Sequence, residues 1–199
     1  MKVKLISVFC IFCLTSLYVN AQEGYLGLKT AYNISRLNSD NESVPGIDDR
    51  HTIGIGLVYA YQFRNATFGV SWEPGYLLKG ARIDNDTLDY RLNYITSPVL
   101  LDIYPVKRVK ISVGPEIAYL ASARSRTNDT TKVSILNTFN NRWELSGTVG
   151  ISYSPDFFID FGVRYNRAFT DAADMDAVLN RRKLYNEYFQ FYMLLKIAN

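Results

Sequence analysis

Residues 93–120 read Asn-Tyr-Ile-Thr-Ser-Pro-Val-Leu-Leu-Asp-Ile-Tyr, then Pro-Val-Lys-Arg, then Val-Lys-Ile-Ser-Val-Gly-Pro-Glu-Ile-Ala-Tyr-Leu. Side-chain character alternates along both arms and a tight basic turn joins them, the period-2 signature of two paired antiparallel strands. One face takes Ile95, Val99, Leu101, Ile103, Val109, Ile111, Val113, Ile117 and Tyr119. The other takes Thr96, Asp102, Lys110, Ser112, Gly114 and Glu116. A hairpin with one greasy and one polar face needs two different environments.

The same pattern recurs on both sides of this hairpin. Upstream, Gly24 to Ser35 sets Leu26, Leu28, Tyr32 and Ile34 against Gly27, Lys29, Ala31 and Asn33. Thr52 to Phe63 sets Ile53, Ile55, Leu57, Tyr59 and Tyr61 against Gly54, Gly56 and Ala60, and Thr67 to Lys79 sets Phe68, Val70, Trp72 and Tyr76 against Gly69, Ser71, Glu73 and Gly75. Downstream, Trp143 to Tyr153, Phe158 to Phe169 and Tyr185 to Ile197 repeat the alternation. The count is about eight strands, the smallest number in single-chain outer-membrane barrels.

The connections alternate in length. Arg64-Asn65, Pro105 to Arg108 and Ser154 to Phe157 are tight, whereas Arg36 to Asp49, Gly80 to Asp89, Ser122 to Asn141 and the segment from Asp171 to Leu184 read as long polar loops. Short turns at one end and longer loops at the other are the habit of bacterial outer-membrane barrels.

Alternation does not say which face is inside. A soluble barrel of the lipocalin kind would turn the apolar face inward around a ligand. Here the polar face is rich in Gly, Ala, Ser and Thr, too thin for a solvent face but suited to a narrow lumen. The apolar face carries rings toward strand ends, at Tyr59, Tyr61, Phe63, Trp72, Tyr119, Trp143, Tyr153 and Tyr165, as interfacial girdles require. An open sheet edge in hydrocarbon leaves unpaired backbone groups that cost several kcal/mol each, roughly, so the sheet must close. The expected fold is all-β: a closed antiparallel up-and-down transmembrane barrel of eight strands.

The chain begins with Lys2 and Lys4, an apolar run from Leu5 to Val19, and Val19-Asn20-Ala21. This pattern predicts a signal peptide over 1–21, cleaved after Ala21, ahead of a barrel domain over 22–199. Cleavage removes both cysteines, Cys10 and Cys13, so the mature chain has no disulfide. It also removes two lysines, and the balance of 22 Lys+Arg against 19 Asp+Glu falls from +3 to 20 − 19 = +1. No basic excess remains to suggest nucleic acid.

Several stretches carry a family resemblance: Gly27 to Ser35, Glu73 to Gly80, Tyr94 to Leu101, Gly114 to Leu120 and Gly162 to Tyr165. In order and spacing they resemble the PorT-type outer-membrane β-barrel proteins of Bacteroidetes. The resemblance implies an integral outer-membrane protein. Its namesake's association with protein secretion across the outer membrane does not follow from these residues.

The lumen face holds the one candidate constellation. Glu73, Glu116, Glu144, Asp102 and Asp160 share it with Lys29, Lys79, Lys110 and Arg164, and buried charges are tolerated only when paired. The expected network is structural and centres on Glu73, Glu116 and Arg164, with Arg164 pairing Glu116 or Glu73. A packed plug is favoured over a conducting pore because eight strands leave room only for side chains.

Catalysis finds little support. The single histidine, His51, lies at a strand edge behind Asp48-Asp49-Arg50 and beside Thr52, where a solvated ring is the ordinary outcome. Asp48-Asp49 and the trio Asp171, Asp174 and Asp176 read as hydrated loop rather than metal site. No metal or cofactor motif is expected. The expected partners are outer-membrane lipid, the barrel-assembly machinery during insertion, and an envelope-complex protein. The expected role is a structural or surface-binding barrel with four external loops, or alternatively a subunit of an envelope complex for secretion or uptake.

Overall fold

A computed structural model describes residues 24–39, 42–43, 47–63, 67–83, 88–127, 131–134, 142–155, 158–170 and 184–198; the expected signal peptide lies outside them. They form strands and turns only. In chain order the strands are β1 (Gly24–Ser39), β2 (Glu42–Ser43), β3 (Ile47–Asp48), β4 (Arg50–Gln62), β5 (Phe68–Trp72), β6 (Gly75–Ile83), β7 (Leu88–Val106), β8 (Val109–Thr127), β9 (Thr131–Ser134), β10 (Trp143–Tyr153), β11 (Ile159–Ala168) and β12 (Leu184–Ala198).

Each long strand pairs antiparallel with its neighbours in sequence, and β1 closes the sheet by pairing with β12, for example Thr30 with Met193, while pairing on its other edge with β4, Thr30 with Ile55. The result is a closed barrel of eight strands. One barrel strand is split into β5 and β6. The split keeps one register on both sides, since Trp72 and Gly75 face Val99 and Thr96 on β7, and Tyr59 and Gly56 on β4. Its cause is Pro74, which has no N–H for the ladder. Its carbonyl still accepts from Leu57 N at 2.8 Å, and Glu73 N donates to Pro98 O at 3.0 Å, so the barrel wall stays satisfied across the break.

Exposure inverts that of a water-soluble domain. Ile53 is 69% exposed on the outside and Val58 is 1% exposed on the inside of the same strand. The outer face of every long strand is apolar, and the inner face holds the charged residues. A lipocalin-type interior is thereby excluded, because the apolar side chains have no interior to fill. The rings fall in two zones: Tyr59, Phe63, Phe68, Tyr153 and Phe158 toward the short turns, and Tyr32, Tyr76, Trp143, Phe169 and Phe189 toward the loops. Level with its cross-strand partner Tyr59, Trp72 donates its indole N–H to Ser97 Oγ at 2.8 Å, so two polar groups on the lipid side satisfy each other.

Three details differ from the sequence expectation. Stretches read as loop are strand: β1 runs on to Ser39, and β7 and β8 run from Leu88 and to Thr127, past the girdle, with β9 added to the edge of β8. Polar ribbons above a membrane need no apolar alternation, which is why the pattern missed them. A bulge opposite Asn93/Tyr94 shifts the register of β8, leaving both Leu120 and Ala123 inward and buried. The lumen is also less polar than expected, with Leu77, Leu92, Tyr94, Leu100, Leu120 and Leu194 all at 4% exposure or below. The charged groups lie among these apolar side chains.

At the short-turn end, Lys107 and Arg108 join β7 to β8, and Arg108 has φ 75°. That left-handed conformation is costly for a side chain with a Cβ. The Arg108 carbonyl accepts from Ser154 N at 2.8 Å, which ties this turn to the next one.

Candidate functional site

The inward side chains build a ladder of ion pairs across the lumen. At its centre Arg164 on β11 forks onto Glu73, Nη1 to Oε2 at 2.7 Å and Nη2 to Oε1 at 2.9 Å, and Lys29 on β1 donates to the same carboxylate at 2.5 Å. The break at Pro74 puts Glu73 at the end of β5, where its side chain meets strands from across the barrel. Arg164 lies 5.2 Å from the centroid of Tyr192. That ring covers Gly162, its direct cross-strand partner, and a Cβ at 162 would run into ring carbons and the hydroxyl of Tyr192. The space beside the fork, lined in part by Gly54 and Gly75, is a cavity of about 20 Å³, enough for about one water.

Toward the loop end, Lys79 on β6 lies between two carboxylates, 2.7 Å from Glu144 and 3.4 Å from Glu116. Its ammonium also sits 4.9 Å and 4.8 Å from the centroids of Tyr94 and Tyr188. Tyr188 OH donates to Glu116 at 2.8 Å and Asn186 donates to Glu144 at 2.5 Å, which satisfies the remaining oxygens. Toward the short turns, Lys110 lies 3.6 Å from Asp102, whose other oxygen accepts from Ser112 at 2.5 Å. Lys196 pairs with Asp160 at 2.8 Å.

Five cations thus meet five carboxylates: Lys29, Lys79, Lys110, Arg164 and Lys196 against Glu73, Glu116, Glu144, Asp102 and Asp160. The central group carries one excess positive charge and the Lys79 group one excess negative charge, and the two adjoin. Each is needed to neutralise the other in a medium of low polarity.

Of the two partners expected for Arg164, the structure assigns Glu73. Glu116 goes instead to Lys79 and Tyr188. Sequence reasoning placed all three side chains on the lumen face but could not choose between carboxylates on different strands. It also omitted Lys196 from the cations that need a partner and gave no role to Tyr188, Asn186 or Tyr192. Their inward parity on β12 was the available signal.

The other candidates lie apart from this ladder. His51 stacks on Tyr32 with ring centroids 5.8 Å apart, and its Nδ1 is 2.7 Å from the Tyr32 hydroxyl. Thr52 turns inward and donates to the Leu78 carbonyl at 2.6 Å, and Asp49 takes a two-pronged bond from Arg36 at 2.6 and 3.0 Å. The hydroxyl and carboxylate nearest His51 in sequence are therefore engaged elsewhere. The hydrogen bond from Arg36 to Asp49, above the membrane, holds the guanidinium pKa above its ordinary value. Among the described residues no group of three or more His, Cys, Asp or Glu could hold a metal; Asp171, Asp174 and Asp176 lie outside them.

A closed eight-stranded barrel with a lipid-facing apolar exterior, aromatic girdles and a charged lumen defines an integral outer-membrane β-barrel protein. Residues 20–174 match the family model described as outer membrane protein beta-barrel domain, and the chain belongs to that family. Among solved structures, Ail of Yersinia pestis in complex with the heparin analogue sucrose octasulfate shares 16% identity, covers 88% of this chain and 100% of its own, with TM-score 0.52. Neisserial surface protein A shares 11%, covers 86% and 97%, with TM-score 0.56. At those identities the likeness is one of fold. No curated protein sequence matches the chain.

Proposed function

We propose that this outer-membrane barrel acts through its external end and not through its lumen: a non-catalytic structural or surface-binding barrel whose four loops meet a partner. The observation that carries this reading is the filled lumen. Five cations and five carboxylates pair within it, Arg164, Lys79, Glu73, Glu116 and Glu144 are each 3% exposed or less, and the space beside the central fork holds about one water. A barrel packed in this way offers solutes no route, and its variable chemistry is concentrated in the loops. In this reading the Glu73, Glu116 and Arg164 network is structural, and the outer membrane lipid and the assembly machinery are partners of the wall. The motifs from Gly27 to Ser35, Glu73 to Gly80 and Gly114 to Leu120 support a place among PorT-type proteins of Bacteroidetes.

The test is purification of a tagged copy from its native membrane in mild detergent, followed by mass spectrometry, beside a variant with the segment between Thr170 and Leu184 shortened. A partner lost with the loop supports the surface-binding reading. A stoichiometric secretion or uptake component that stays bound without the loop replaces it with a subunit of an envelope complex.

A further inference from the structure

Three polar atoms in one row of the lumen bond to no other protein group. Arg164 on β11 stands directly opposite Gln190 on β12, and Gln190 opposite Asn33 on β1. The fork onto Glu73 uses both terminal nitrogens of Arg164 and leaves its Nε–H to the side, without a protein acceptor. Gln190 Nε2 donates to Asn33 Oδ1 at 2.9 Å, which leaves Gln190 Oε1 and Asn33 Nδ2 unbonded as well. All three side chains are 4% exposed or less. A buried donor or acceptor with no partner bears the full cost of leaving water, and for a charged donor that cost is largest.

The cavity of about 20 Å³ beside the fork brings these atoms to one place. Arg164 and Gln190 line it, and so does Gly54, where a Cβ would come within 3.3 Å of Asn33 Nδ2. Glu116 and Tyr188, which belong to the Lys79 group, line it too. The space therefore lies where the group with an excess positive charge adjoins the group with an excess negative charge.

We infer that this cavity is the binding site of a single internal water molecule that joins the two charged groups. The water accepts from Arg164 Nε and Asn33 Nδ2 and donates to Gln190 Oε1, with its second proton free for the Glu116 carboxylate. The volume admits one water, and about three hydrogen bonds are what a buried water makes. A neutral molecule suits the site better than an ion, because the lining charges cancel, Lys29 and Arg164 against Glu73 and Glu116. Arg164, which makes its direct bonds to Glu73, is thereby linked to Glu116 as well. Gly54 makes the room: a methyl there would point at Leu77 Cδ1, 2.9 Å away, and at Asn33. The site does not depend on the external loops having a partner.

The test is nuclear magnetic resonance of the isotope-labelled full chain folded in detergent micelles, read at the Arg164 Nε–H. Wild type should show a dipolar cross-peak between this proton and water, which a rotating-frame experiment separates by sign from simple proton exchange. Gly54→Ala, confirmed as folded by heat-modifiable mobility, should lose the cross-peak. If that variant does not fold, Gln190→Met, which removes the acceptor, should lose it instead. A wild type with no dipolar contact to water overturns the proposal. So does a cross-peak that survives unchanged in the folded variant, or an Arg164 Nε–H resonance that shifts when chloride replaces a bulky organic anion, which would make the occupant a small anion.

Discussion

Replacing Arg164 with Met tests whether the central fork holds the barrel together. The change removes two charge-assisted bonds and leaves Glu73 with Lys29 as its remaining partner at 2.5 Å. The carboxylate loses half its neutralisation, and the guanidinium that adjoins the negatively charged Lys79 group is gone. Breaking one partner out of a buried pair costs about 3–5 kcal/mol. Because Lys29 remains, the lower half of that range is expected, about 3 kcal/mol. Glu73→Gln should cost more, since it leaves Lys29 and Arg164, two buried cations, facing a neutral amide. The double variant should be less unstable than the sum of the two, with a coupling of about 2 kcal/mol, because the second change removes a charge the first had orphaned. The assay is urea unfolding in lipid vesicles, followed by fluorescence of Trp72 and Trp143 and checked by heat-modifiable mobility on gels. An Arg164→Met protein with the wild-type midpoint, or strictly additive single effects, would refute the reasoning and reduce the fork to a passive filling of space.

Three further outcomes follow from the geometry. Gly162→Val drives a branched side chain into the Tyr192 ring, which also faces Arg164, and should lower the unfolding midpoint by about 1–3 kcal/mol, with Gly162→Ala in between. Arg108→Gly relieves the left-handed φ of 75° in the short turn and should raise stability by about 1 kcal/mol in the same assay, whereas Arg108→Val should lower it. Trp72→Phe leaves the Ser97 hydroxyl without its lipid-side donor and should cost about 1 kcal/mol, much of which Ser97→Ala in the same chain should restore; two single changes that add without coupling would show that the 2.8 Å contact contributes nothing.

Much of this architecture was legible along the chain because a membrane barrel obeys a period of two with no exceptions inside the hydrocarbon. Ile53 next to Gly54, and Val113 next to Gly114, assign faces on their own, and each assignment matches the exposure observed. Legibility fails where that constraint lapses. The strand segments Leu88–Asp89 and Ser122–Thr127 stand above the membrane, where paired backbone suffices and no alternation is enforced, so they read as loop. The alternation from Thr67 to Lys79 read as one strand, and neither its break at Pro74 nor the bonds with Leu57 and Pro98 on other strands that bridge the break were legible there. The bulge in β8 beside Asn93/Tyr94 likewise has no local mark.

By itself, then, the sequence determined the number of strands, the two faces, the membrane compartment and the set of charges that must share the lumen, because each follows from which side chains hydrocarbon and a narrow interior will accept. Only the tertiary structure decided the partners. Glu73 rather than Glu116 takes Arg164 because closure of β1 on β12, and the stagger of each register, bring residues 91 positions apart to 2.7 Å.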